Sequence, residues 1–96
     1  SRFAPGEPIT REQLAASLYR FARLRETPAD AGTVQLLPFS DRDQVSGYAA
    51  RPMSWALERG LLTGLDNGTL APKAYATRAQ IAAILLRFQG SAADAK

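Results

Sequence analysis

Ninety-six residues, 10.4 kDa, 46% hydrophobic and 22% charged, suffice for one hydrophobic core and exclude a large multidomain enzyme. With no cysteine and no histidine, disulfides, thiolate metal sites and the commonest general base are excluded as well, so no catalytic residue, metal site or cofactor is expected. The net charge is +3 and ten of the twelve basic residues are arginine, which suits an acidic partner and equally a plain compositional bias.

The first predicted element is a helix opening at Thr10. Thr10 is a good N-cap, Gln13 three residues later completes a capping box, and Leu14, Leu18, Phe21 and Leu24 recur at helical spacing as a core-facing stripe. The same unit returns 67 positions later: over residues 3–22 and 70–89, ten of twenty aligned residues are identical. Thr10-Arg11-Glu12-Gln13 falls on Thr77-Arg78-Ala79-Gln80, and Phe3-Ala4-Pro5 falls on Leu70-Ala71-Pro72. The second copy carries the matching stripe Ile81, Ile84, Leu85 and Phe88 and is expected to stop at Gly90. Arg20, Arg23, Arg25 and Arg87 stand near the helix C-termini, where the dipole favours cations and a solvated role is expected.

Between the copies, Thr27 to Thr33 reads as a loop, followed by the short apolar run Val34 to Leu37 and Pro38. A third helix is predicted from Met53, Trp55, Ala56 and Leu57, beginning near Ala49 to Arg51 because of Pro52 and ending at Gly60, with Leu61 placed for a Schellman contact. Asp66-Asn67-Gly68 marks a tight turn and a minimal hairpin. Asp41 is expected to cap or close the loop before the third helix. Gly64 and Gly68 are expected to relieve backbone strain first, and to admit a ligand only second.

Phe39-Ser40-Asp41, Gly47-Tyr48-Ala49, Met53, the run from Ala56 to Gly64, Asp66-Asn67-Gly68-Thr69-Leu70-Ala71-Pro72 and Thr77-Arg78-Ala79-Gln80 together resemble an S-layer homology (SLH) repeat. On that resemblance, residues 1–25 are the second half of one repeat, 26–37 a connector, 38–89 a complete repeat and 90–96 a tail. The fold class implied is all-α: SLH-type helical repeats with two bundle helices, one prong helix and short loops. The function implied is noncatalytic: an exported module at a Gram-positive cell wall or S-layer that binds secondary cell-wall polysaccharide, often pyruvylated, and tethers a larger protein. Gln13 and Gln80 replace the family's motif glutamate, and Gly47-Tyr48 replaces its usual His-Trp pair.

The residues also suggest where such a ligand binds. Arg11 and Arg78 each follow an N-cap, at the end of the helix dipole that disfavours a cation, so an anion held there meets backbone N–H groups and a guanidinium together. The candidate carbohydrate- or anion-binding residues are Thr10, Arg11, Gln13, Thr77, Arg78, Gln80, Gly64 and Trp55. The alternative for both arginines is pairing with an internal acid such as Asp41, Glu58 or Asp66, or simple exposure to solvent, and the alternative for Trp55 is the core.

Two other classes of function compete. An interaction or self-assembly module follows if stripes left without a bundle partner are covered by a second copy, making a homo-oligomer that completes the repeat. Nucleic-acid binding is disfavoured because the basic residues are spread over several elements and the duplicated helices begin 67 residues apart. No run approaches the roughly 20 apolar residues of a membrane span, and Ser1 opens no charged-then-apolar leader, so neither anchor nor signal peptide is expected.

Overall fold

A computed structural model of the chain describes residues 8–25, 32–65 and 67–94, the last four by backbone alone. The Phe3-Ala4-Pro5 match, residues 26–31 of the connector and Asp66 lie outside the described residues. Among the described residues three α-helices form: α1 (Arg11–Arg25), α2 (Ala50–Glu58) and α3 (Arg78–Asp94), with short 3₁₀ turns at Val34–Leu36, Arg42–Gln44 and Gly47–Ala49.

Both capping boxes close as the spacing requires. In α1 the Gln13 amide donates to Thr10 Oγ1 at 3.1 Å and Thr10 N–H donates to Gln13 Oε1 at 2.9 Å. In α3 the corresponding distances, from Gln80 to Thr77 and back, are 3.0 and 3.0 Å. α2 begins directly after the Gly47–Ala49 turn, and Pro52 is tolerated because it sits in the first turn, where its missing N–H has no intrahelical acceptor. The helix ends in a Schellman motif: Gly60 adopts φ +75°, its N–H donates to Leu57 O, and Leu61 N–H donates to Ala56 O at 2.9 Å. Leu61 is thereby turned into the core.

That core gathers Leu14 and Leu18 of α1, Met53, Trp55 and Ala56 of α2, Leu61, Leu62 and Leu70 of the following segment, and Ile84 and Phe88 of α3. Trp55 sits at the centre, edge-on to Tyr19 at 5.4 Å and to Phe88 at 6.2 Å between ring centroids. The two copies also meet at their helix entrances, where Ala76 N–H donates to Ile9 O at 2.8 Å and Arg11 N–H to Ala74 O at 2.9 Å, forming one antiparallel bridge between Thr10 and Tyr75.

Four expectations change. The predicted hairpin is a turn without strands among the described residues: Leu65 N–H reaches Thr69 O at 2.8 Å, and pairing stops there because two residues a side cannot sustain a ladder. Gly90 does not stop α3, which runs on to Asp94; an interior glycine costs only about 1 kcal/mol relative to alanine, which a long helix absorbs. The stripes are buried in part, since Phe21 (50% exposed), Leu24 (82%) and Leu85 (40%) face outward while their periodic neighbours are covered. Gly64 is required by space: a Cβ there would overlap the Phe39 ring, so the missing side chain makes room for a half-buried aromatic packed against the core and not for a ligand. Gly68, by contrast, carries a positive φ of +79° as the turn demands.

Candidate functional site

The two Thr-Arg corners, alike in sequence, occupy different surroundings. At the first, the Arg11 guanidinium is 4% exposed; its Nε donates to Leu70 O at 2.8 Å and its Nη2 to Thr63 O at 2.8 Å. Asp41 accepts the Leu70 and Ala71 amides at 2.8 and 2.9 Å, so one carboxylate closes the 69–72 turn from its N–H side while Arg11 closes it from its carbonyl side. Burial lowers the Arg11 pKa, and the nearby Asp41 charge opposes that shift. The expected local cap by Asp41 is replaced by this remote closure.

The amides at the start of α1 are taken too. Arg11 N–H goes to Ala74 O, Glu12 N–H to Pro72 O at 3.1 Å, and Gln13 N–H to Thr10 Oγ1. The first amides of this corner and two of its guanidinium N–H groups are engaged by the fold, and its arginine is a bracket between α1 and the 63–70 segment.

At the second corner, Arg78 is exposed, and neither its side chain nor the Arg78 and Ala79 amides form a hydrogen bond among the described residues. The sequence pattern holds the same cap in both places; what differs is that the turn-bearing segment covers Arg11 and leaves Arg78 exposed.

Glu12, where the second copy has Ala79, is the first corner's other distinguishing residue. Its carboxylate is 4% exposed and accepts Ser46 N–H at 2.9 Å, Ser46 Oγ–H at 2.7 Å, Tyr48 Oη–H at 3.3 Å and the Lys73 ammonium at 3.0 Å. Burial works against its ionisation, but the hydrogen bonds from Ser46 and Lys73 and the Lys73 charge outweigh it and hold the pKa below the usual carboxylate value. The Tyr48 phenol moves the other way, raised by burial and by the Glu12 charge and hydrogen bond.

Beside this clamp an open groove of about 810 Å³ runs between α1 and the 47–52 segment. Arg20 and Arg23 of α1 and Arg51 of α2 line it together with Gln13, Tyr19 and Tyr48. The Arg23 guanidinium lies 6.0 Å from the Tyr19 ring centroid. Tyr48 is 59% exposed and offers a ring to the groove, whereas Trp55 is 3% exposed, buried between Tyr19 and Phe88, and has no face for a sugar. Sequence reasoning placed Arg20 and Arg23 only as helix-end cations; what it lacked was the position of the 47–52 segment opposite them. Their spacing at i and i+3 on one helix face was the available signal.

The comparisons with known proteins agree on one family. Residues 38–82 match the S-layer homology domain. The chain is 34% identical over 88% of its length to an endoglucanase of Bacillus sp. (strain KSM-635), and 33% identical over 84% to an amylopullulanase of Thermoanaerobacterium thermosulfurigenes. It is 33% identical over 90% of its length to cell surface glycoprotein 1 of Acetivibrio thermocellus. It spans only 8%, 4% and 4% of those three proteins. No solved structure matches the chain.

Proposed function

This chain carries an S-layer homology domain, and from that premise we propose that it is a noncatalytic module that anchors a larger protein at the bacterial cell surface by binding an anionic, pyruvylated secondary wall polysaccharide. The observation that carries the reading is the groove, where two α1 arginines and Arg51 surround an open channel bordered by Tyr48. Guanidinium forks match a carboxylate in two hydrogen bonds, and an exposed aromatic face matches the apolar face of a sugar ring. Of the two corners, Arg78 with Thr77 and Gln80 serves as the supplementary anion contact, because Arg11 is committed to Thr63 O and Leu70 O. Catalysis has no part in this reading, and no described helix is long and apolar enough to cross a membrane.

Sedimentation with purified wall sacculi tests the proposal. The chain co-sediments in low salt, loses binding as salt screens the arginines, and fails to bind sacculi stripped of their secondary polysaccharide. The double variant Arg20→Ala/Arg23→Ala binds at least tenfold more weakly, as expected for the loss of two charge-assisted contacts worth about 1.5 kcal/mol or more between them. Binding that survives both the stripping and the double variant overturns the reading.

A second reading, self-assembly, rests on a different surface. Phe21, Leu24, Leu85 and Phe88 border an apolar groove of about 720 Å³ between α1 and α3. Light scattering that finds only monomer at high concentration removes it.

A further inference from the structure

Glu12 is a buried acid that the anchoring reading leaves without a role. It lies on α1 one residue from the structural Arg11, yet its four hydrogen bonds lead to Ser46, Tyr48 and Lys73, from two separate segments. Two of those partners belong to the Ser46-Gly47-Tyr48 stretch, and Gly47 and Tyr48 form the wall of the groove opposite Arg20 and Arg23. Ser46 Oγ also contacts the Lys73 ammonium, which closes the ring of contacts around the carboxylate.

We propose that Glu12 is the positioning residue of the glycan groove: its carboxylate, held by Ser46, Tyr48 and Lys73, fixes the Tyr48 wall at the distance from Arg20 and Arg23 at which an anionic sugar is gripped between them. The inference rests on the anchoring reading and extends it to one residue that touches no ligand. Three observations support it. The clamp is local to the groove, since no other buried acid among the described residues contacts the 46–48 stretch. Among the described residues the Tyr48 side chain makes one hydrogen bond, from its hydroxyl to Glu12, and its exposed ring is oriented through it. The second corner has Ala79 at the matching position, so the acid is not required by the Thr-Arg cap itself, which forms equally well without it.

The charged and titratable groups that face Glu12 are Lys73 from the 72–75 turn and Tyr48 from the Gly47–Ala49 turn; within the range where carboxylates titrate, Glu12 is the group of the clamp that changes charge. The clamp has its full charge attraction between Glu12 and Lys73 when Glu12 is ionised and loses that attraction as pH falls through the lowered Glu12 pKa.

The experiment uses the full chain and a purified pyruvylated wall polysaccharide, with affinity measured by calorimetry between pH 7 and pH 3 and Ser46 amide exchange followed by NMR. Glu12→Gln preserves size and removes the charge. It is expected to bind about tenfold more weakly at pH 7, to lose Ser46 amide protection, and to show a flatter affinity profile at acid pH than the parent chain. Tyr48→Phe, which keeps the ring and deletes the hydroxyl, is expected to bind more weakly too, and in combination with Glu12→Gln to add little. A parent chain that does not bind the polysaccharide sinks the anchoring reading and this inference with it. A parent chain that binds while Glu12→Gln binds equally well sinks only this inference. Additive losses in the double variant, or an unchanged acid profile, reduce Glu12 to a fold residue and overturn the positioning role.

Discussion

The first Thr-Arg corner is closed and the second open, although the same cap builds both. Thr10 and Gln13 bond each other as Thr77 and Gln80 do, yet Arg11 is buried against two carbonyls while Arg78 faces solvent. The lesson concerns repeats: an identical motif specifies identical local structure, but its side chains take their role from whatever segment packs over them. Around Arg11 that segment carries the 63–72 turn, whose carbonyls need a donor as much as the guanidinium needs acceptors.

The largest expected break in this comparison is in stability. Arg11→Ala leaves the buried Leu70 O and the part-buried Thr63 O without their donor and is expected to cost about 2 kcal/mol, whereas Arg78→Ala, at an exposed site, is expected to stay within about 0.5 kcal/mol. Urea denaturation of the two variants measures the difference, and equal losses would mean that the corners are equivalent after all. Binding should show the opposite order, with Arg78→Ala retaining the parent stability and losing affinity for wall polysaccharide.

A smaller effect comes from acid. Because the folded pKa of Glu12 lies below its unfolded value, its contribution is complete above about pH 4.5 and is lost as pH falls through the lowered folded value. The parent chain should lose Tm over that interval more than Glu12→Gln does, and parallel Tm curves would show that the clamp adds nothing to stability. The smallest effect tests the likeness of the corners instead of their difference. Gln13→Ala and Gln80→Ala each remove one half of a capping box and should each cost roughly 0.5–1 kcal/mol. A cost confined to one of them would show that the shared cap is unequal in energy.

The groove was the part of the site least visible beforehand. Arg20 and Arg23 could be placed on one face of a helix from their spacing, but Tyr48 and Arg51 lie about thirty positions further along the chain, and only the packing of α2 on α1 puts them opposite. Trp55 shows the converse: its residue type suits sugar stacking, and its surroundings, Tyr19 and Phe88, commit it to the core. Gly64 likewise has its reason in Phe39, twenty-five residues away, which no local pattern contains.

The sequence by itself determined what depends on neighbours along the chain: the duplicated helix, its capping boxes, the Gly60 stop, and the family to which residues 38–82 match. These are set by dihedral preferences and by hydrogen bonds that span three to five residues. The tertiary structure alone decided which arginine is buried, which aromatic is exposed and where Glu12 reaches. Those outcomes depend on solvent exclusion by segments distant in sequence, and two copies of one motif feel that exclusion differently when only one of them is covered.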